Sequence, residues 1–277
     1  MAYADLHIHS KYSDGSLSPA EIVRIARAAN VSLLSVCDHN LVQGTLEARP
    51  LALATGMDYL TGVEIDAMFE GLDIHILCYG ADLGDDKLLG RIRHARERLD
   101  EMSAELLRRM KKKYPCLSMA EYDDFVHDTR QGGWKMLQYL RFKGITQDLK
   151  SGFPLYERYG VTYAEAGFDS AEAMVEAVHA AGGAAVLAHP GVVFPAERLD
   201  VFEKWVLRAL ELGLDGVECH YPRHPGGMVR RLEKICIARG LITTAGSDCH
   251  GAFNSNQIGQ TKTAIKELYL QGLKIEG

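Results

Sequence analysis

The sequence predicts an α/β fold in which short buried strands alternate with amphipathic helices. The alternation covers the first 87 residues and resumes after residue 165, and most of the strands are followed by a histidine or an acidic residue. A length of 277 residues allows one domain of the size of an α/β barrel, or two ordinary domains. A content of 47% hydrophobic and 25% charged residues is ordinary for a globular protein.

The first strand–helix–strand unit is the clearest local pattern. After an opening strand, Ser18-Pro19-Ala20-Glu21 has the form of a helix start, because it offers a hydroxyl cap, a proline at the first helical position and a glutamate that closes a capping box. The apolar run Val31 to Val36 then predicts a buried strand. A helix from about Val42 to Ala54 and a strand from Tyr59 to Glu64 continue the alternation.

The next predicted strand, Leu72 to Cys78, follows its predecessor closely. Only Glu70-Gly71 and a few neighbours separate the two strands. Because a parallel crossover needs about a dozen residues or more, we expect a local antiparallel hairpin at the rim, which departs from a regular barrel.

The alternation lapses between residues 88 and 165, where we expect an inserted helical subdomain. The α/β body would then comprise residues 1–87 and 166–277. A long amphipathic helix, Arg91 to Lys113, ends before Pro115. Shorter helical patterns follow, around residues 119–126 and 133–142.

The long helix carries an excess of positive charge. Nine Lys and Arg residues stand against four acidic residues, although the whole chain has a net charge of −6. Such a run is most often a solvated helix face, and the alternative is a lid that meets an anionic substrate.

The second α/β part begins with a helix start at Asp169-Ser170-Ala171-Glu172. Three buried strands and two further helices follow it. The strands are predicted at Ala184–Ala188, Gly216–Cys219 and Leu241–Ala245, and the helices at Ala196–Leu212 and Met228–Arg239.

Composition excludes several classes of protein. No apolar run is long enough to span a bilayer, and the N-terminus lacks the pattern of a secretory signal, so we expect a cytoplasmic protein that does not bind membranes. The six cysteines lack paired spacing, which argues against a disulfide framework and against a C-x-x-C zinc site. A net charge of −6 argues against a stable nucleic-acid complex.

Six of the eleven histidines lie at or beside the ends of predicted strands, and three acidic residues occupy equivalent positions. In a barrel of parallel strands the carboxyl ends converge on one face, so residues far apart in sequence would share one pocket. The nine residues are His7, His9, Asp14, His39, Glu64, His75, His189, Asp248 and His250.

Each of these residues alone has an ordinary structural explanation, and an isolated H-x-H pair is more often a polar strand face. Nine such residues at or beside strand ends are not explained together in that way. Histidine and carboxylate ligands without thiolates suit Zn, Mn or Fe in an open catalytic site.

The ordered motifs resemble those of the PHP (polymerase and histidinol phosphatase) family of metal-dependent phosphoesterases. The resemblance covers about residues 1–80 and 168–260 and includes D-x-H-x-H…S-D-G, D-H-N, G-V-E, A-H-P and G-S-D-x-H. It implies a distorted (β/α)7 TIM-like barrel with up to three metal ions. Cys37 stands where a threonine is common in the family.

The resemblance also implies how the ligands are divided. His7, His9, Glu64 and Asp248 would bind the first ion, and Glu64 would bridge to a second ion. The remaining ligands would be His75 and His189 at the second ion, and Asp14, His39 and His250 at the third.

The helical insert most resembles that of the members that act on nucleotide phosphates or RNA ends. However, Gly133-Trp134-Lys135 differs from the arginine-bearing pattern of those members. The expected substrate is therefore a small phosphorylated metabolite, a nucleotide or a short oligonucleotide.

The expected chemistry is attack on phosphorus by a hydroxide that bridges two metals. His224 is the candidate for phosphate contact or leaving-group protonation, with Arg223 beside it, and Lys135 and Arg141 of the insert could contact a second phosphate. A surface position is the alternative for each of these four side chains. The rival functions are an amidohydrolase, which also opens with H-x-H, and a non-catalytic metal-binding domain.

Overall fold

The computed structural model describes residues 2–194 and 198–277. The predicted start of one helix, at Ala196, lies outside the described residues. The helix that follows begins at Leu199 and ends at Leu210.

Within residues 2–194 and 198–277, eight strands form two sheets. β1, β2 and β3 make a parallel three-stranded sheet, and β4 to β8 make a five-stranded sheet in the order of the sequence. In the larger sheet β4, β5 and β6 pair antiparallel, whereas β6, β7 and β8 pair parallel. The strands are β1 (Tyr3–Asp5), β2 (Val31–Leu34), β3 (Asp58–Tyr59), β4 (Gly62–Phe69), β5 (Leu72–Tyr79), β6 (Ala184–Leu187), β7 (Gly216–His220) and β8 (Ile242–Ala245).

Backbone hydrogen bonds connect the two sheets at both edges. The N–H of Leu6, just after β1, donates to the carbonyl of Ala245 in β8 at 2.8 Å. At the other edge the N–H of Asn40, beyond β2, donates to the carbonyl of Glu64 in β4, also at 2.8 Å. The segment after β1 is thereby joined to β8, and the segment after β2 lies beside β4.

Eleven α-helices lie among the described residues. They are α1 (Pro19–Ala28), α2 (Gln43–Ala54), α3 (Asp86–Lys111), α4 (Met119–Asp124), α5 (Lys135–Phe142), α6 (Phe153–Arg158), α7 (Tyr163–Ala166), α8 (Ala171–Ala180), α9 (Pro190–Val193), α10 (Leu199–Leu210) and α11 (Gly226–Arg239). None of these helices combines the length and the apolar character needed to cross a membrane.

Helices α3 to α7 pack on the same hydrophobic core as the larger sheet. Leu88 and Ile92 of α3 belong to one buried cluster with Val63 and Ile65 of β4. Tyr139 of α5 is fully buried in that cluster as well. The helical segment is therefore anchored to the sheet by apolar burial, the main favourable term in folding.

The positive charge of α3 is largely compensated by acidic partners. Five of its arginines form ion pairs within the helix or with a neighbouring segment, and four of these pairs lie three or four residues apart on α3 itself. This pattern agrees with a solvated helix face. Arg96 differs from the others because it also contacts an aromatic ring, as described below.

The short connection between β4 and β5 makes the expected antiparallel hairpin, with Glu64 opposite Leu77 and Asp66 opposite His75. Two details of the prediction were wrong. Glu64 is the third residue of an eight-residue strand, and His75 is the fourth residue of β5, so neither lies at a strand end. The predicted Tyr59–Glu64 strand is in fact split into β3 and the start of β4.

The predicted capping box of α1 is present. The Ser18 hydroxyl accepts a hydrogen bond from the N–H of Glu21, and the Glu21 carboxylate accepts one from the N–H of Ser18 at 2.8 Å. Both bonds satisfy backbone donors that the first turn of a helix leaves free.

We predict that Ser18→Ala lowers the free energy of unfolding by about 1 kcal/mol, because one of these donors loses its partner. Urea titration monitored by circular dichroism measures the change, and Ser18→Thr, which keeps the hydroxyl, is the matched control. Equal stability of the alanine variant and the wild type would show that the box contributes nothing.

Candidate metal centre

The nine predicted ligands converge around one buried carboxylate, that of Glu64. Its side chain has no exposed surface, and both of its oxygens face histidine nitrogens. Oε2 lies 3.2 Å from Nε2 of His7 and 3.2 Å from Nε2 of His9. Oε1 lies 2.8 Å from Nδ1 of His75 and 2.9 Å from Nε2 of His189. Glu64 therefore has one oxygen in each of two groups of histidines.

The first group consists of His7, His9, Glu64 and Asp248. The Nε2 atoms of the two histidines are 3.1 Å apart, and Nε2 of His9 is 3.1 Å from Oδ1 of Asp248. Tetrahedral ligands at about 2.1 Å from a metal would be about 3.4 Å from one another. The spacing of these four side chains is therefore that of a metal coordination shell.

Asp14, His39 and His250 form a further group with His9, in which the potential ligand atoms all lie within 4.8 Å of one another. Nε2 of His250 is 3.3 Å from Oδ1 of Asp14. His39 lies between this group and Glu64, because its Nδ1 is 3.2 Å from Oε2 of Glu64. The geometry is thus compatible with His39 in either group.

Several buried polar atoms in the centre have no hydrogen-bond partner among the described residues. They include Nδ1 of His9, Nδ1 of His39, Oε2 of Glu64 and Nδ1 of His189. Buried polar groups are normally paired, because an unpaired one costs about 1–3 kcal/mol. The unpaired atoms and the donor set of imidazole and carboxylate fit divalent metal ions.

The acids of the centre favour their ionised forms. Burial alone would raise the pKa of Asp14, but the neighbouring His250 and His39 outweigh it and hold the pKa well below its usual value. The pKa of Asp248 is held low in the same way, chiefly by His250 and His9. Ionised carboxylates in a buried site need nearby positive charge.

The histidines respond to these acids in two ways. Burial disfavours the charged form of His9, but Asp248 and Glu64 outweigh this effect and raise its pKa to about 10. Burial instead dominates at His39 and lowers its pKa to about 4. The acids thus attract positive charge to the centre, whether from a proton or from a metal ion.

Strained backbone conformations aim several of the side chains. Asn40, His189 and Asp248 have φ values of 52°, 22° and 51°, in the left-handed region that residues other than glycine rarely adopt. All three follow a strand and either belong to the centre or border it. Such strain is maintained only where the surrounding structure enforces it.

Asp38 supports the loop after β1, on which Asp14 lies. Its carboxylate accepts hydrogen bonds from the N–H of Ser10 at 2.8 Å and from the hydroxyls of Ser10 and Ser13 at 2.6 Å each. This network determines where the chain turns between His9 and Asp14.

Glu218 was not predicted to belong to the site. It is fully buried in β7, and its Oε1 lies 3.1 Å from Nδ1 of His7. Its Oε2 accepts a hydrogen bond from the backbone N–H of His189 at 2.9 Å. Gly246 allows this approach, because a Cβ there would lie 2.2 Å from Oε1 of Glu218. A carboxylate on the second nitrogen of a ligand histidine orients the ring and increases its basicity. The signal in the sequence was an acidic residue inside an otherwise apolar strand.

Asp66 was also missed. It is two residues beyond Glu64 on β4 and therefore on the same face of the strand. Its Oδ1 lies 3.4 Å from Nε2 of His75, and its Oδ2 accepts a hydrogen bond from the Asn40 side chain. The alternation of side chains along β4 was the signal that could have identified it.

The centre opens into a cavity of about 250 Å³, whose lining includes Asp14, His39, His75, His189, Asp248 and His250. Of the four predicted substrate contacts, Arg223 lines this cavity. Its guanidinium donates to the hydroxyl of Tyr221 at 2.8 Å, and that hydroxyl donates to Oδ2 of Asp248 at 3.0 Å. Arg223 is thus linked to a predicted ligand through one tyrosine.

His224, Lys135 and Arg141 lie outside the lining of this cavity. Nζ of Lys135 donates to the carbonyl of Asp123, and Arg141 is exposed and donates to the side chain of Gln131. Lys135 lines a second cavity, in the helical segment. Contact of Lys135 or Arg141 with a second phosphate stays a prediction.

His224 is held inside the protein by the backbone. Nδ1 bonds to the carbonyl of Cys219 at 2.9 Å, and Nε2 accepts the N–H of Gly191 at 3.0 Å. Burial lowers the pKa of His224 to about 4, so the ring is neutral near pH 7. Since both nitrogens are engaged, the ring supports the segments after β6 and β7.

Comparisons with known proteins agree with this geometry. The sequence pattern of the PHP domain matches residues 5–154, which include six of the nine predicted ligands. A 5′-3′ exoribonuclease of Haemophilus influenzae is 29% identical over 258 residues, which is 89% of this chain and 89% of that relative. A 3′,5′-nucleoside bisphosphate phosphatase of Chromobacterium violaceum is 29% identical over 259 residues, or 90% of this chain and 88% of that relative.

A solved structure also superimposes well. It is described as an amidohydrolase from Chromobacterium violaceum with bound sulfate and no metal, and it matches with a TM-score of 0.71 and 25% identity, covering 90% of this chain and 88% of the other. The family match extends over more than half of the present chain and includes Glu64 with His7, His9, His39 and His75, four of the histidines whose nitrogens face it. This chain therefore belongs to the PHP domain family and is a metal-dependent phosphoesterase.

Proposed function

We propose that the protein hydrolyses the phosphomonoester of a small phosphorylated metabolite or nucleotide, with an oligonucleotide end as a related substrate. The observation that carries this proposal is the convergence of eight potential metal ligands around a ninth, Glu64, with unpaired buried atoms on several of the nine. Two relatives with full-length similarity are named for activity on nucleoside bisphosphates and on RNA.

The proposed centre holds up to three divalent ions. The first would be bound by His7, His9, Glu64 and Asp248, and the second by Glu64, His75 and His189. The third would be bound by Asp14, His250 and His39, although the distance from His39 to Glu64 also permits a role at the second.

The donor set favours Mn, Zn or Fe, because imidazole suits transition metals and no thiolate takes part. Cys37 stands where a threonine is common in the family. It is buried and donates its thiol hydrogen to the carbonyl of Leu6 at 3.2 Å. Burial raises the pKa of Cys37 to about 12, so it remains a thiol.

The ions, when bound, would lower the pKa of water from about 15.7 towards 7 and neutralise the charge on the phosphoryl oxygens. The side chains of this chain contribute positioning. Glu64 keeps the two groups of histidines together, and Glu218 fixes the ring of His7. Arg223, which lines the cavity and is exposed, is the cation suited to orient a phosphate dianion.

An amidohydrolase is the nearest rival function. One solved structure of similar fold carries that description, although it also contains sulfate, a tetrahedral dianion like phosphate. Lys150 is the one lysine among the residues that line the cavity, and it is exposed, whereas the proposed bridging ligand is the carboxylate of Glu64, which has one oxygen beside each group of histidines. A non-catalytic metal-binding domain is the other rival, and the intact set of ligands argues against it.

We also propose the architecture that accompanies this function. The strands would form a distorted (β/α)7 TIM-like barrel built from residues 1–87 and 166–277, and residues 88–165 would be an inserted helical subdomain. The backbone hydrogen bonds that join the two sheets at both edges support this proposal. The expected cytoplasmic location remains a prediction.

We predict that conservative changes at the two carboxylates beside His7 have different consequences. Glu64→Gln should lower kcat/KM by about a hundredfold or more, because the bridging carboxylate is lost, and added metal should not restore it. Glu218→Gln removes the carboxylate on the other nitrogen of the same ring, so metal affinity should fall by about 10–100-fold and excess metal should restore activity.

The measurement is activity as a function of Mn, Zn and Fe concentration, together with metal content after dialysis. Both carboxylates are fully buried within 3.3 Å of His7, so the variants control for each other. Rescue of both variants, or of neither, would contradict the division of roles.

We predict that Arg223→Ala raises KM for a phosphomonoester by about tenfold or more, because a charged hydrogen bond contributes about 1.5–3 kcal/mol. Arg141→Ala should leave KM within twofold of the wild type, since Arg141 is exposed outside the cavity. Michaelis kinetics on both variants at equal metal content test this contrast. A larger effect on KM at Arg141 than at Arg223 would contradict this contrast and favour the prediction that Arg141 contacts a phosphate of the substrate.

A substrate panel separates the three candidate functions. The protein should hydrolyse p-nitrophenyl phosphate and not a p-nitroanilide or a lactone, and chelation should abolish the activity. Preferred turnover of the amide or lactone would favour the amidohydrolase. Absence of turnover with every metal and substrate would favour the non-catalytic domain.

A further inference from the structure

We infer that a cavity in the helical segment binds the nucleobase of the substrate while the phosphate lies at the metal centre. This inference rests on the proposed function and names the class of substrate, a nucleotide. None of the predicted metal ligands lines this cavity.

The cavity has a volume of about 400 Å³ and is larger than the one at the metal centre. Its walls are mainly apolar and carry five aromatic side chains from α4, α6, α7 and the start of α5. Tyr122, Trp134, Tyr156 and Tyr163 are partly exposed in it, and Phe153 is 45% exposed. Small-molecule sites have this character, with mostly apolar and aromatic walls and a few polar groups.

The two cavities are adjacent. Leu99, Trp134, Phe153 and Tyr163 line both of them. The ring of Trp134 lies 5.7 Å from the ring of His39, a predicted metal ligand. A ligand with one part at the metals and a flat part beyond Trp134 would therefore fill both spaces.

Trp134 also has a fixed cation on its ring. The guanidinium of Arg96 lies 5.1 Å from the ring centroid and is held by Asp100 through hydrogen bonds of 3.0 and 3.2 Å. Aromatic rings and guanidinium planes are the surfaces on which single-stranded bases stack. Because Asp100 already accepts hydrogen bonds from the edge of this guanidinium, its flat face is better suited to stacking on a base than its edge is to binding a second phosphate.

The polar groups in the cavity suit the edge of a base. The hydroxyls of Ser103 and Tyr156 are hydrogen-bonded to each other at 2.9 Å and can each offer a further contact. Acidic side chains, Asp100 and Glu157, also line the wall and can accept hydrogen bonds from amino groups. A sugar phosphate has no flat apolar part, so it would leave these aromatic walls uncovered.

Kinetics on matched substrates test the inference. Adenosine 5′-monophosphate and ribose 5-phosphate share the phosphomonoester and the sugar and differ in the base. The wild type should prefer the nucleotide in kcat/KM, and Tyr122→Leu and Tyr156→Leu should each reduce that preference by about tenfold, since stacking on one aromatic ring is worth about that factor.

The control is Phe142→Leu, which changes an aromatic side chain of α5 that is 64% exposed and lines neither cavity. It should retain the preference of the wild type. Equal kcat/KM for the two substrates in the wild type, or an unchanged preference in both tyrosine variants, would overturn the inference and leave the phosphoesterase intact. Turnover of neither substrate by any metal form would instead count against the proposed function.

A second measurement does not depend on activity. Adenosine, which has no phosphate, should quench the fluorescence of Trp134 in metal-free protein, because Trp205 is 1% exposed and cannot meet the ligand. Trp134→Phe should remove the quenching. Unchanged fluorescence at millimolar adenosine, or quenching that persists in Trp134→Phe, would place the base elsewhere.

Discussion

The carboxylate of Glu64 is the group on which the rest of the centre depends. It has no exposed surface, and its two oxygens lie within 3.2 Å of nitrogens from four strands or strand ends. A buried carboxylate without a lysine or arginine partner is unfavourable unless other cations compensate it. Divalent ions would supply this compensation, which accounts for the histidines that gather there with unpaired nitrogens.

The protein positions this carboxylate with an irregular sheet. A regular parallel strand would have placed a residue at its carboxyl end, but the β4–β5 hairpin places Glu64, Asp66 and His75 within strands that run antiparallel. Backbone hydrogen bonds from Asn40 and Leu6 then bring the ends of β2 and β1 to the same place. Left-handed backbone at His189 and Asp248 turns the remaining ligands inward. The strain at these residues is maintained by the packed strands around them.

Sequence patterns predicted most of the elements, and the nine candidate ligands that they indicated lie together in the structure. Histidines and acids beside apolar runs are recognisable in sequence, and the short Glu70-Gly71 connection permits only a hairpin. They did not identify Glu218 or Asp66, since a buried acid is ambiguous until its partner is known, and those partners lie 211 and 9 residues away. The surroundings of His224 could not be predicted for a related reason. A histidine in a proline-rich loop looks accessible in sequence, yet two backbone groups engage its ring. Nor could the sequence show that aromatic residues spread from Tyr122 to Tyr163 line one cavity beside the metals.

The most direct test of this account is a crystal structure of the metal-loaded protein with anomalous diffraction data collected at the Mn, Fe and Zn absorption edges. The account predicts anomalous peaks on both sides of Glu64, one between His7, His9 and Asp248 and one beside His75 and His189, with a third near Asp14 and His250. A single peak away from Glu64, or no peak in protein that hydrolyses phosphoesters, would contradict it.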